Sequence, residues 1–183
     1  MARNTDTIDF REDYYRGFAK IYFEKVLKTI IEFGGLHIEK GLILDYGCGV
    51  GHLKKMLPHS NVIGYDIIPE LSDTDDYKKL YPVKIVLSGV LEHLYIEEIK
   101  KLLLDFIQMN PSAELLVFLP TENFVSKIAM HLARQGNAHD DHVSKYKKIN
   151  AIIERHYYIK KRRYIFLRMA QVTHYIPNNK FNG

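Results

Sequence analysis

The stretch LILDYGCGVGHL, Leu42 to Leu53, begins as a short apolar strand, reaches the acid Asp45, and passes through Gly47, Gly49 and Gly51 before a helix starts near His52. Glycines spaced two apart permit backbone angles that other residues avoid, and they remove side chains where a ligand must touch the backbone. A helix start adds unsatisfied N–H groups and the positive end of a dipole. Such a loop suits a ligand with a negatively charged end. The next apolar run, VIGYD from Val62 to Asp66, reads as a second buried strand. Its terminal acid follows Asp45 by 21 residues. A carboxylate there can accept two hydrogen bonds from a ribose 2′,3′-diol. Together the loop and the acid describe a nucleoside site.

The spacing selects among nucleoside ligands. A dinucleotide fingerprint, G-x-G-x-x-G, beginning at Gly47 requires glycine at position 52, which is His52. The Gly-Lys-Ser/Thr of a Walker phosphate loop is absent. Working outward, Phe18, Tyr22, Val26 and Ile30 recur at helical spacing between Arg11 and Phe33, and Gly34-Gly35 ends that helix. KIVLSGV, Lys84 to Val90, is a third strand leading into a helix whose Leu91, Leu94, Ile99, Leu102, Leu103 and Phe106 share one side. ELLVFLP, Glu114 to Pro120, is a fourth strand. A helix to Gln135 follows it, and another runs from about Val143 to Arg155. Tyr157–Phe166 and Gln171–Ile176 are β-branched and aromatic enough to pair as a hairpin. Strands alternating with helices, then a hairpin, imply an α/β Rossmann-like doubly wound sheet, mostly parallel, with a C-terminal antiparallel strand in three α/β/α layers.

The chain's 183 residues suit one domain, with residues 1–36 as an N-terminal helical segment and 37–183 as the core. Hydrophobic residues at 46% and charged residues at 26% exclude a disordered or fibrous chain. One cysteine, Cys48, forms no internal bridge, and neither a secretory leader nor a membrane-spanning run is visible, so the expected location is the cytoplasm. The net charge of +4 divides unevenly. Between Lys145 and Arg168 stand nine basic residues against Glu154, a net +8 that leaves −4 for the remainder. A uniformly basic nucleic-acid-binding surface is therefore not encoded.

At this point the motifs resemble a family. D-x-G-x-G-x-G at the end of the first strand, with an acid ending the second, resembles the class I S-adenosylmethionine-dependent methyltransferases. GVLEHL, Gly89 to Leu94, is similar to a "vlEHl" segment of members that modify small molecules, and Ala138 to Tyr157 is similar to their stretch before the final strands. The resemblance implies that Asp45 fixes the loop and meets the cofactor's ammonium group, while Tyr46, Gly47, Cys48, Gly49 and Gly51 border its methionine part. It implies Asp66 on the ribose, flanked by Tyr65 and Ile67, with Ser88, Gly89 and Val90 along the cofactor. Tyr14 or Tyr15 covers the methionine end, and Glu92 and His93 face the substrate. One departure stands out. Members usually place another helix and strand, ending in an acidic turn that contacts adenine, between the ribose acid and the third strand; here seventeen residues separate Asp66 from Lys84. The edge strand is thus expected to be short or missing, with Asp75 or Asp76 left to reach adenine.

The implied reaction transfers a methyl group from S-adenosyl-L-methionine to a small-molecule or lipid-linked acceptor, and a base is needed where the acceptor carries a proton. His93, His139 and His142 are the candidates, since they follow strand ends on the ligand side of such sheets. Asp140 and Asp141 read equally well as helix caps. His139-Asp140-Asp141-His142 lacks a patterned third ligand, so no metal is assigned. The run Lys160-Lys161-Arg162-Arg163 reads first as a solvated edge, then as a contact for a phosphate-bearing substrate or an anionic membrane surface, and less readily as an RNA contact. RNA methylation and a non-catalytic binding protein are the alternative functions. Oligomeric state is left open.

Overall fold

A computed structural model of the chain describes residues 18–121 and 145–178. Helix α1 (Phe18–Gly34) precedes β1 (Ile43–Tyr46), α2 (His52–Met56) and β2 (Val62–Tyr65). Then come β3 (Lys84–Ser88), α3 (Ile96–Met109) and β4 (Glu114–Pro120), followed by α4 (Tyr146–Ile153), β5 (Tyr157–Ile165) and β6 (Ala170–Pro177). The six strands form one sheet in the order β2-β1-β3-β4-β6-β5. β1 to β4 run parallel, and β6 returns antiparallel to β4 with β5 antiparallel beside it. The expected helix to Gln135, together with Tyr14, Tyr15, His139, Asp140, Asp141 and His142, lies outside the described residues.

Period-two alternation divides the strand side chains between two helical layers. Leu44, Ile85, Leu87, Leu115 and Val117 pack with Ile99, Leu103 and Phe106 of α3 and Ile149 and Ile153 of α4. Ile43, Val62, Val86, Leu116 and Phe118 pack instead with Val26 and Ile30 of α1. Burial on both faces is why these strands read as continuous apolar runs rather than alternating ones.

One stretch departs from the simplest reading of the sequence, and a second bears out the expected loss of an edge strand. The helix expected from Leu91 begins only at Ile96, because Leu91–His93 form a separate 3₁₀ turn and Leu94 and Tyr95 are extended. Glu98 then reaches back to accept the Tyr95 N–H at 2.7 Å, which sets the start of α3. On the other side of the sheet, β2 is the edge, and residues 67–83 contain two short 3₁₀ turns and no strand. The chain covers that edge itself. Asp73 Oδ2 accepts the Gly64 N–H at 2.7 Å, and the Asp73 N–H donates to the Gly64 carbonyl at 2.9 Å. One residue thus makes the pair of bonds that a neighbouring strand would otherwise supply.

The basic run lies on β5, the opposite edge. Lys161 and Arg163 lie over the Phe33 ring of α1, 6.0 and 4.9 Å from its centroid. Lys160 instead pairs with Glu114 at 3.1 Å, and Arg162 with Glu154 at 2.7 Å. Strand alternation, with a register shift between Ile159 and Lys161, splits the four cations between two faces.

Candidate functional site

The glycine loop leaves β1 at the carboxyl end of the parallel strands. Gly47, Gly49 and Gly51 all hold positive φ, at 76°, 51° and 72°. The loop is tied to β2 through the Gly47 and Cys48 N–H groups, which donate to the Tyr65 carbonyl at 2.7 and 3.1 Å. The three glycines have different surroundings. A Cβ on Gly47 would collide with Val90 Cγ2 in the turn after β3, whereas one on Gly49 or Gly51 would meet nothing within 4 Å. The loop is therefore packed on its inner side and open on its outer side, as a backbone cradle requires. Helix α2, only five residues long, is a single turn and a half. The loop amides rather than a macrodipole shape this corner.

Asp66 closes the cradle from β2. Its Oδ2 accepts the Gly49 N–H at 2.9 Å and its Oδ1 accepts the Ile68 N–H at 3.0 Å. Each carboxylate oxygen retains a second lone-pair direction. Beneath the loop, Asp45 is buried at 4% exposure. Burial first, and then the nearby Asp66 and Asp73 carboxylates, push its pKa up to about 7. No cation among the described residues offsets these effects. Lys54 is engaged with Asp73 at 2.9 Å. A cation brought beside this carboxyl would favour its ionised form.

The other sequence-derived positions distribute around this centre. Cys48 turns toward the β2 edge, where its Sγ donates to the Leu71 carbonyl at 3.4 Å. Burial and then Asp45, Asp66 and Asp73 push its thiol up to about 12, so it is not a nucleophile near neutral pH. Tyr46 and Tyr65 pack with Tyr77, their ring centroids 5.0 and 4.7 Å from its own. Those rings belong to the α3 layer. Ile67 is 88% exposed beside Asp66. Ser88, Gly89 and Val90 form the exit from β3, with Gly89 at φ 75° and Val90 against Gly47. Asp76 caps the turn Tyr77–Lys79 by accepting the Lys78 N–H at 3.1 Å. In the 3₁₀ turn after β3, His93 is exposed while Glu92 is buried at 5%. Asp73 has a weak sequence signal, as one acid in a polar run, whereas Glu92 is among the residues that the resemblance implies on the substrate side. Among the described residues, no group of three or more His, Cys, Asp or Glu side chains converges to hold a metal ion.

The sheet order, with the glycine loop at the end of β1 and the acid at the end of β2, defines a Rossmann-like fold. More particularly, the chain has the fold of the class I S-adenosylmethionine-dependent methyltransferases. It superposes on the PH0226 protein from Pyrococcus horikoshii OT3 with a TM-score of 0.68 and 13% identity, covering 91% of this chain and 94% of that one. Magnesium protoporphyrin IX methyltransferase (ChlM) from Synechocystis PCC 6803, solved with bound SAH, gives 0.62 and 17%, covering 87% and 83%. The small RNA methyltransferase HEN1 gives 0.61 and 16%, covering 86% of this chain but 25% of that one. No family model matches the chain, and no curated protein matches it in sequence.

Proposed function

We propose that the chain is an S-adenosyl-L-methionine-dependent methyltransferase of one domain that acts on a small-molecule or lipid-linked acceptor. The observation that carries this reading is the buried Asp45, with no cation offsetting it among the described residues, beneath a glycine loop whose outer face is open. In this reading Asp45 holds the cofactor's ammonium group, and the backbone at Gly47, Gly49 and Gly51 borders the methionine part. Asp66 accepts the ribose hydroxyls on the lone pairs that Gly49 and Ile68 leave available. Ile67 offers an apolar face for the adenine, and Ser88, Gly89 and Val90 line the opposite wall. Tyr15 and the candidate bases His139 and His142 stay in the proposal as expectations from the sequence, beside the exposed His93. When bound, the cofactor supplies an electrophilic methyl group on a sulfonium centre. The protein's part is to align the acceptor with that group and to receive its proton.

The alternative of RNA methylation draws on the basic C-terminal section. It is weakened by the division of Lys160 to Arg163 between two faces and by their pairing with Glu114, Glu154 and Phe33. Contact with an anionic membrane surface through those cations is compatible with the reading, and no helix among the described residues is long and apolar enough to cross a membrane. Calorimetry with S-adenosylhomocysteine tests the cofactor assignment. Asp66→Ala removes two hydrogen bonds to a charged acceptor, each worth roughly 1.5–3 kcal/mol, so at least a 100-fold loss of affinity is expected. No binding by the unaltered chain, or equal binding by both proteins, overturns the assignment. Tritiated methyl transfer into RNA, with none into a small-metabolite or lipid extract, favours the alternative.

A further inference from the structure

We propose that Glu92 is the group that receives the proton of the methyl acceptor, and that the acceptor is accordingly an N–H or O–H nucleophile. This inference rests on the methyltransferase reading and names the chemistry of its acceptor side. Glu92 stands in the 3₁₀ turn Leu91–His93, directly after β3. Leu91, 1% exposed, anchors that turn in the core, and Val90 abuts Gly47 of the glycine loop. The turn therefore connects to the cradle through packed atoms. The Glu92 carboxyl reaches back over Gly89: its Oε1 lies 3.8 Å from where a Gly89 Cβ would stand, next to the Phe118 ring edge. A methyl at position 89 would stand in ordinary contact with this carboxyl, and the positive φ of Gly89, 75°, disfavours any side chain there.

Glu92 is 5% exposed, and its Oε2 has no hydrogen-bond partner among the described residues. Buried carboxyl oxygens are ordinarily satisfied, so an unmatched one at the carboxyl ends of the parallel strands marks a place where a ligand donor completes the site. Its surroundings suit a base. Tyr22 of α1 is the titratable group whose field couples to it. Phe118 on β4 is apolar, and no charged group of the packed α4 perturbs it. Burial, opposed only by its own backbone N–H, pushes Glu92 up to about 8. A carboxylate with that proton affinity is far better matched to a near-neutral transfer than an ordinary one. The step balances as follows: the acceptor's lone pair forms the new bond to the methyl carbon, the carbon–sulfur pair remains on sulfur, and the acceptor's N–H or O–H proton moves to Glu92 Oε2.

Glu92→Gln keeps the shape and removes the basicity, while Glu92→Asp keeps the basicity at a shorter reach. Each variant is compared with the unaltered chain for thermal stabilisation by S-adenosylhomocysteine and for tritiated methyl transfer into deproteinised small-metabolite and lipid extracts. Expected results are stabilisation by S-adenosylhomocysteine unchanged in both variants, transfer reduced at least 100-fold in Glu92→Gln, and partial recovery in Glu92→Asp. A pH series with ¹³C-labelled glutamate should give the free protein one carboxyl signal titrating near 8 that Glu92→Gln lacks. Transfer by Glu92→Gln at the unaltered rate overturns the inference, as does a Glu92 signal in the ordinary carboxylate range, and both leave the cofactor reading standing. Absence of both binding and transfer in the unaltered chain instead overturns that reading and this inference with it.

Discussion

Gly49 and Gly47 share a left-handed backbone but differ in surroundings, so alanine at each separates stability from binding. At Gly49, alanine faces the cost of a non-glycine residue at φ 51°, about 1–2 kcal/mol, with no collision because nothing lies within 4 Å of the new methyl. At Gly47 the same conformational cost applies at φ 76°, and the methyl also drives into Val90. Overpacking adds about 1–3 kcal/mol, for a total of roughly 2–5 kcal/mol. For a chain of this size each kcal/mol lowers the melting temperature by about 2–4 °C. Gly49→Ala should therefore melt about 2–8 °C below the unaltered chain, and Gly47→Ala about 4–20 °C below it. Binding is expected to follow the opposite order relative to stability. The Gly49 methyl occupies the open face where a ligand would touch backbone, so S-adenosylhomocysteine affinity should fall at least tenfold, about 1.4 kcal/mol or more. Denaturant unfolding at constant m value reads the first quantity and calorimetry the second. If Gly49→Ala binds S-adenosylhomocysteine within twofold of the unaltered chain, the open face of the loop is not where the ligand lies. Adding Val90→Ala to Gly47→Ala should recover the overpacking share, and no recovery would refute the assigned collision.

Two further perturbations examine the acids. Asp45, with its pKa raised to about 7, is mostly protonated at pH 6, and an incoming ammonium group favours its ionised form. Binding of S-adenosylhomocysteine should then release nearly one proton at pH 6 and almost none at pH 8, measured by calorimetry in buffers of different ionisation enthalpy; equal release at both pH values contradicts this. In the free protein the sign for folding is the reverse of an ion-paired acid, because the folded pKa lies above the unfolded value. The Asp45 contribution to stability is thus lost as pH rises from about 4 through about 7. Asp73→Ala removes the acceptor for the Gly64 N–H and the partner of Lys54, a loss of about 1–3 kcal/mol that should appear in urea unfolding together with increased self-association through the uncovered β2 edge. Unchanged stability would mean that the edge is satisfied in another way.

Much of this protein is legible in its sequence, and the reasons are local. Gly47, Gly49 and Gly51 are demanded by backbone angles, and Asp45 near the end of β1 and Asp66 just after β2 stand at positions fixed by strand length. Layering followed from apolar runs that only double-sided burial explains. The short span between Asp66 and Lys84 likewise implied an edge without its usual strand. What the sequence could not express were relations between distant segments. Asp73 replaces a strand only because the chain after Asp66 folds back on Gly64. Asp45 is perturbed because the sheet and its layers bury it, and because Asp66 and Asp73 are brought close to it. The turn Leu91–His93 separates two adjacent residues, burying Glu92 and exposing His93, because Leu91 anchors it in the core and Gly89 redirects the backbone. Periodicity and spacing record which residues a local backbone requires. Desolvation and the satisfaction of a polar atom depend on what the rest of the chain brings to it, and so they are decided only in the tertiary structure.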